Sequence, residues 1–174
     1  PRLAQGMADR FLNRLPLASL VASRTGQLTG LPEHAARLLE DDRLLLVFPE
    51  GVRGTAKLYS ERRVVASFPL GFMRLCMQTA TPIVPVGILG AGEALPTIVN
   101  LERAGRWLGV PYLPLTPYLV PWPLPARFEL YFGEPLVFEG TGHEESDEVR
   151  ANVERVRTSI ESLVDAGASK YRPV

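Results

Sequence analysis

Residues 43–54 read RLLLVFPEGVRG, and this stretch decides the fold. Its first half, residues 43–48, is a continuous apolar run that is too short for a helix and predicts a strand buried on both faces. Such strands are typical of parallel sheets, in which ligands collect at the carboxyl ends of the strands. The polar turn that follows is therefore the first candidate site.

Helical and extended patterns alternate on both sides of this strand. Apolar residues spaced by three and four predict four helices: residues 31–40, a segment opened by Ser67 and Pro69, residues around 97–108, and about 144–167. Strands are predicted at 82–89, where Pro85 needs a bulge or an unpaired position, and at 126–133. Short helical pieces are predicted at 3–13 and 16–22. This order predicts one α/β domain over residues 1–174, with a largely parallel (mixed) sheet flanked by helices in three αβα layers.

The charges balance overall but are unevenly placed. Lys+Arg and Asp+Glu each total 19, so the formal net charge at pH 7 is zero, which argues against a general nucleic-acid binder. Between Gly51 and Arg74 a single acid, Glu61, accompanies five cations: Arg53, Lys57, Arg62, Arg63 and Arg74. This basic stretch indicates a site for a small anion or contact with an acidic surface, unless the charges are merely solvated.

Residues 109–126 form an apolar, proline-rich loop. The charge-free window between Arg106 and Arg127 would suit a transmembrane helix in length, but its six prolines exclude one. The aromatic rings of the loop favour a membrane interface; they are Tyr112, Tyr118 and Trp122. Packing over the domain's own core and a polyproline-like partner motif are the alternatives.

The turn after residue 48 offers the chemistry that an anionic ligand needs. Arg53 can hold a phosphate through two parallel hydrogen bonds, and Glu50 can accept a hydroxyl or orient Arg53. The alternative is a polar turn with a surface ion pair. A second motif, Gly90-Ala91-Gly92, is similar to a dinucleotide-binding turn, but Leu95 stands where the third glycine belongs.

Other reactive residues are few. A single cysteine, Cys76, excludes an internal disulfide, and its place on the inner face of a predicted helix favours inert packing. The two histidines, His34 and His143, lie too far apart in sequence for a local metal motif, and neither is placed as a base.

Two blocks of sequence together resemble the glycerolipid (lysophospholipid) acyltransferase superfamily. The third block of that family, Phe-Pro-Glu-Gly-x-Arg, matches Phe48, Pro49, Glu50, Gly51 and Arg53. Its fourth block, a hydrophobic strand ending in Val-Pro-Val, matches Ile83, Val84, Pro85 and Val86. The proline-rich stretch followed by YFGEPL (131–136) resembles the branch of monoacylglycerol and diacylglycerol acyltransferase-like proteins.

The resemblance implies transfer of an acyl group from acyl-coenzyme A or acyl-carrier protein to a hydroxyl of a lysophospholipid or related glycerolipid. It implies no metal or redox cofactor, and peripheral contact with a membrane from the cytoplasm. Substrate would be bound by residues of the third block and the basic stretch: Phe48, Pro49, Glu50, Gly51, Arg53, Lys57 and Arg62. Pro85 and Val86 would be structural residues near the site.

The family's catalytic motif, His-x4-Asp, has no counterpart in these 174 residues. The position that should hold aspartate is Leu39 after His34 and Glu148 after His143. We therefore expect the motif upstream of Pro1, amino-terminal elements of the sheet missing from the chain, and no acyl transfer by this polypeptide alone. A catalytically inactive lipid-binding or scaffold module and a nucleotide-dependent α/β enzyme are the alternative functions.

Overall fold

A computed structural model describes residues 4–8, 28–29, 32–107, 109–119 and 123–172. The chain divides into two compact units, each with its own strands and helices. The first comprises Pro1–Gly51, Phe68–Pro82 and Val137–Val153, and the second comprises Val52–Ser67, Ile83–Leu136 and Glu154–Val174. The single domain predicted over residues 1–174 stays a prediction.

The secondary structure of the described ranges consists of short strands and helices with one long helix at the end. The strands are β1 (Ala4–Ala8), β2 (Leu28–Thr29), β3 (Leu44–Leu46), β4 (Val86–Leu89), β5 (Val99–Leu101), β6 (Leu113–Leu115) and β7 (Glu129–Phe132). The helices are α1 (Pro32–Glu40), α2 (Val52–Thr55), α3 (Gly71–Gln78), α4 (Ala91–Ala94), α5 (Glu102–Trp107) and α6 (Ser146–Ala168), with a 3-10 turn at Tyr59–Glu61.

A parallel three-stranded sheet lies in the first unit. β1 is its central strand, with β2 on one side and β3 on the other. The predicted strand at 43–48 is thus confirmed as β3, although it is shorter. The helix predicted over 3–13 is wrong at residues 4–8, because strand neighbours on both sides satisfy this backbone whereas a short helix is costly to nucleate. The piece predicted at 16–22 lies outside the described residues.

Burial of β3 on both faces is wrong. Leu44 and Leu46, which share one face of the strand, are 50% and 44% exposed, and Leu45 on the other face is half-buried. Within the described ranges, β3 has a strand neighbour only on the side of β1. Side chains on the outer face therefore keep much of their contact with water.

The helices of the first unit bury the faces that their periodicity predicts, with one shift. α1 begins at Pro32, one residue inside the predicted start, and buries Ala35 completely. α3 begins at Gly71 rather than at Ser67, and its buried side chains are Met73 and Met77, one turn apart. The predicted inner residues of α3, among them Cys76, are half-buried instead.

Two antiparallel pairs of strands form the sheets of the second unit. β4 pairs with β7, so that Ile88 lies opposite Leu130, and β7 confirms the strand predicted at 126–133. The inner face of this pair packs on α6, where Leu89, Val164 and Tyr171 form a buried cluster. The helix predicted around 97–108 is wrong at residues 99–101, which pair with β6 as β5; the helix, α5, covers only Glu102–Trp107.

The described residues are therefore α/β in class, with parallel pairing in the first unit and antiparallel pairing in the second. The strands of the described ranges form three small sheets. The single largely parallel sheet and its three αβα layers stay predictions. α6, predicted at about 144–167, is confirmed, and its residues up to Val153 belong to the first unit and those from Glu154 to the second.

Candidate functional site

The four residues Phe48–Gly51 form a tight turn in the first unit. The backbone N–H of Gly51 donates to the carbonyl of Phe48 at 3.0 Å, which makes residues 48–51 a hydrogen-bonded β-turn with proline at its second position. Gly51 has a φ of 55°, a left-handed conformation that strains other residue types. Proline and glycine in this block are therefore explained by the turn, which leaves Phe48 exposed and Glu50 half-buried.

The second unit begins with the segment that carries most of the local positive charge. We call residues 52–67 the basic loop; its only acid is Glu61, and its cations are Arg53, Lys57, Arg62 and Arg63. The two ends of the loop meet, because Nη1 of Arg53 donates to Oγ of Ser67 at 3.3 Å. Arg53 is exposed, and its guanidinium has five N–H donors, of which this bond uses one.

The middle of the basic loop is bound to the chain that follows β4. The backbone N–H of Tyr59 donates to the carbonyl of Thr97 at 2.8 Å, and Nδ2 of Asn100 donates to the carbonyl of Ala56. Asn100 lies on β5, and Thr97 is almost fully buried. The loop is therefore fixed through its backbone at Ala56 and Tyr59.

Tyr112 and Thr55 add a side-chain contact to the same loop. Their hydroxyl groups are joined by a hydrogen bond, which tends to lower the pKa of Tyr112, but burial has the larger effect and raises that pKa. The phenol is thus neutral at physiological pH. It serves as a structural partner of the loop.

Arg62 is bound within the chain by three interactions. Its Nε donates to Oε1 of Glu93 at 3.0 Å, its Nη1 donates to the carbonyl of Tyr59 at 2.8 Å, and its guanidinium carbon lies 4.0 Å from the centroid of the Tyr59 ring. Both partners of the ion pair are largely buried, which strengthens it relative to a surface pair. The prediction that Arg62 contacts substrate stays a prediction.

The glycines of the GAG sequence have steric reasons to be there. A Cβ at Gly92 would lie 2.4 Å from Cβ of Arg62, and one at Gly90 would lie 2.1 Å from the carbonyl oxygen of Arg127. Gly90 also has a φ of 101°. The helix that follows, α4, has only four residues. These glycines let the basic loop and the strand β7 approach the turn after β4.

Pro85 and Val86 lie at the start of β4. Pro85 is buried and precedes the regular strand, and its carbonyl accepts the N–H of Gly133 at 2.9 Å. Val86 opens the strand opposite Phe132. Pro85 is thus bonded through its carbonyl, and its missing N–H falls just before the regular strand whose continuation holds the basic loop.

Several residues that organise the loop were missed by sequence reasoning. Glu93, Thr97, Asn100 and Tyr112 lie about 30 to 60 positions from the loop residues that they bind, so no local spacing marks them. One signal was present, because Glu93 is the only charged residue between Pro82 and Leu101. An isolated acid beside a basic segment is a reasonable candidate for an ion pair.

The remaining candidate residues, which are Arg74, the two histidines and Cys76, lie in the first unit. Arg74, the last cation of the basic stretch, donates from Nη1 to the carbonyls of Gly142 at 2.7 Å and Glu144 at 3.0 Å. His34 and His143 are exposed. Burial raises the pKa of the Cys76 thiol to about 11, so that it is protonated and unreactive at neutral pH.

Two properties of the described ranges bear on the kind of site. In these ranges, no cluster of His, Cys, Asp or Glu side chains has the composition of a metal site. Among the same residues, none of the helices combines the length and the apolar character that crossing a bilayer requires.

Comparison with protein families gives one match, to the family described as Acyltransferase, over residues 7–89. An uncharacterised protein of Mycobacterium tuberculosis is 32% identical over 161 residues, which cover 86% of this chain and 45% of the relative. A human protein named DGAT1/2-independent enzyme synthesizing storage lipids is 24% identical over 167 residues, or 94% of this chain and 48% of that protein. Its chicken counterpart is 24% identical over 138 residues, covering 79% and 41%.

The chain thus spans a little under half the length of the curated relatives that it matches. No solved structure matches it significantly. The family match ends at Leu89, the last residue of β4, so it includes both the turn at 48–51 and the whole basic loop.

Proposed function

We propose that this chain, which matches the acyltransferase family over residues 7–89, serves the transfer of an acyl group to a hydroxyl of a lysophospholipid or related glycerolipid. Acyl transfer is the activity for which the family is named, and the human and chicken relatives are named for the synthesis of storage lipids. The donor in this proposal is acyl-coenzyme A or acyl-carrier protein. The thioester is already activated, so the proposal requires no metal or redox group.

The observation that carries the proposal is the basic loop itself. It has four cations and one acid, and its backbone and Arg62 are bound to Thr97, Asn100 and Glu93. A cationic segment whose conformation is fixed in advance loses little entropy when an anion binds. This arrangement supports recognition of the negatively charged head of an acceptor lipid.

Arg53 is the principal anchor for the acceptor in this proposal. Its guanidinium is exposed and has N–H donors beyond the one that reaches Ser67, so it can hold a phosphate bidentately. Lys57 adds a second positive charge four positions further along the chain, beyond the end of α2. Arg62 is a less direct participant, since Glu93 and Tyr59 already bind its guanidinium.

The turn at 48–51 supplies the other proposed contacts. Glu50 accepts a hydrogen bond from a glycerol hydroxyl, and Phe48, which is exposed, contacts the apolar part of the substrate. Pro49 and Gly51 hold the turn that presents these two side chains. In this proposal, Phe48 and Glu50 contact the substrate, and Pro49 and Gly51 stabilise the turn.

The reaction replaces a carbon–sulfur bond with a carbon–oxygen bond and moves one proton from oxygen to sulfur. The acceptor hydroxyl oxygen attacks the thioester carbonyl, a carbon–oxygen bond forms, the carbon–sulfur bond breaks, and the hydroxyl proton passes through a base to the leaving thiolate. Neither His34 nor His143 has an aspartate at the fifth position after it. We therefore propose that this chain binds the acceptor and that none of its histidines removes the proton.

Acceptor binding tests the proposal directly. Titrations of the protein with short-chain lysophosphatidate and with the matching monoacylglycerol, followed by calorimetry, compare acceptors that differ only in phosphate. We expect the phosphate-bearing lipid to bind about 10- to 100-fold more tightly, since hydrogen bonds to charged groups contribute about 1.5–3 kcal/mol. Arg53→Ala should remove most of this difference.

The matched control is Arg172→Ala, which removes an exposed arginine of the same unit outside the basic loop. It should leave both affinities unchanged. An equal loss of affinity for lysophosphatidate in Arg53→Ala and Arg172→Ala would mean that only overall charge matters. Equal affinity of the wild type for the two lipids would overturn the assignment of Arg53 to the phosphate. Turnover of labelled acyl-coenzyme A by the 174-residue chain would contradict the proposal that its own histidines take no part.

A further inference from the structure

The stretch from Arg103 to Phe128 combines positive charge with apolar surface. It contains three arginines and no acid, and most of its other residues are apolar, aromatic or proline. The acids that flank it are Glu102 and Glu129. Tyr112 of this stretch contacts the basic loop, and the third and fourth blocks of the family lie outside the stretch.

The helix α5 presents two of these arginines beside an exposed tryptophan. Arg103, Arg106 and Trp107 lie three and four positions apart and therefore share one face, and all three are exposed, with Trp107 at 87%. On another side of the helix, Gly105 is buried, and a Cβ there would lie 2.5 Å from Cα of Tyr112. This close backbone contact fixes the rotation of the helix, so that the indole cannot turn inward.

The strands on either side of α5 extend the apolar surface. Val99 pairs with Leu115 and Leu101 with Leu113, so these four side chains share one face of the β5–β6 pair. Val99 and Leu101 are exposed, and the two leucines of β6 are half-buried. The intervening Asn100 is used on the opposite face, where it binds the basic loop.

Leu119 is exposed by its backbone conformation. It has a φ of 65°, an unfavourable value for leucine, and its N–H donates to the carbonyl of Thr116 at 3.0 Å, which closes a turn. The side chain is 75% exposed, although Thr116 is buried. The strained backbone and the exposed side chain both cost free energy, and contact of the side chain with an apolar partner would recover part of that cost.

We propose that this surface docks on a membrane with anionic headgroups. The surface consists of Arg103, Arg106, Trp107, Val99, Leu101 and Leu119. An indole is favoured at the level of the headgroups, arginines bind lipid phosphates, and exposed aliphatic side chains leave water for the acyl region. Glu102 lies four positions before Arg106 and therefore beside it, at the edge of this face that is farther from Trp107.

A lipid surface fits these observations better than a nucleic acid does. Nucleic-acid binding depends on many cations, whereas this surface has two arginines in a chain of zero net charge. Tryptophan and arginine are also frequent in protein interfaces, so a second copy of the chain is distinguished from lipid by the measurement of dimer formation below. The docking proposal rests on the proposed function in one respect: docking would bring the acceptor-binding loop to its lipid substrate.

Vesicle flotation of the intact protein tests the docking surface without acyl transfer. The vesicles are phosphatidylcholine alone or phosphatidylcholine with phosphatidylglycerol. We expect binding to the anionic vesicles that weakens with added salt. Trp107→Ala should weaken it about tenfold and the Arg103→Glu/Arg106→Glu double variant about a hundredfold.

Matched controls separate this surface from general stickiness. Phe132→Ala removes another exposed aromatic residue of the second unit, and Arg150→Glu/Arg172→Glu makes the same change of charge elsewhere. Both should bind vesicles nearly as the wild type does. Flotation lost equally in controls and test variants would overturn the proposal, as would wild-type protein that fails to float.

Fluorescence places the indole itself. Trp122→Phe leaves Trp107 as the sole tryptophan, and its emission should shift to the blue and be quenched by brominated lipid only with anionic vesicles. An unshifted emission on bound vesicles would overturn the assignment of Trp107. A dimer in solution that is lost in Trp107→Ala would show instead that a second copy covers this surface.

Discussion

At the scale of single residues, variants of Arg62 distinguish two roles: positioning of the basic loop and direct contact with the substrate. If Arg62 is a positioning residue, Arg62→Ala and Glu93→Ala remove the same interaction, and each should lower the free energy of unfolding by about 1–3 kcal/mol. Both should also weaken acceptor binding to the same degree, because the loop loses one of its attachments. Urea unfolding and the lysophosphatidate titration measure these effects.

The double variant and a conservative change complete this test. Arg62→Ala/Glu93→Ala should cost less than the sum of the single variants, because the second substitution removes a charge that has already lost its partner. Arg62→Lys keeps the charge but loses the planar stacking on Tyr59. Weaker acceptor binding in Arg62→Ala with none in Glu93→Ala would favour direct contact between Arg62 and substrate.

At the scale of elements, the loop before α6 is held by an acid whose ionisation stabilises the fold. The backbone N–H of Thr141 donates to Glu144 and holds the pKa of that carboxyl below its ordinary value. This stabilisation is complete above the unfolded pKa of about 4.3 and is lost as the pH falls through the lower, folded pKa. Arg74 holds the same loop through the carbonyls of Gly142 and Glu144.

Glu144→Gln should therefore remove part of the acid sensitivity. We expect its Tm to lie below that of the wild type at neutral pH and to change less between pH 5 and pH 3, about the ordinary range of carboxyl titration. Glu145→Gln is the matched control, since it removes an adjacent exposed carboxylate. An equal fall in Tm between pH 5 and pH 3 in the wild type and in Glu144→Gln would contradict the role assigned to Glu144.

Periodicity predicted some elements well and others poorly, for a physical reason. Helix 31–40, helix 144–167 and strand 126–133 were found to within a few residues at most ends, because their patterns are decided along the chain. Residues 4–8 and 99–101 were missed because pairing with other strands decides their conformation. The same limit applies to the site: its block residues have a local motif, whereas Glu93 and Asn100 act across many positions.

At the scale of the whole molecule, the single cysteine provides a probe of how the two units unfold. Cys76 belongs to the first unit, and burial raises its pKa to about 11, so at pH 8 its thiolate fraction is about a hundredfold below that of an exposed thiol. Helix α6 contributes residues to both units, and we therefore expect them to unfold together. The urea midpoint of Cys76 labelling should then coincide with that of far-ultraviolet circular dichroism. Labelling of Cys76 at a lower urea concentration than the loss of helix would show that the first unit opens by itself. Cys76→Ser should change the free energy of unfolding, measured by circular dichroism, by no more than about 1 kcal/mol.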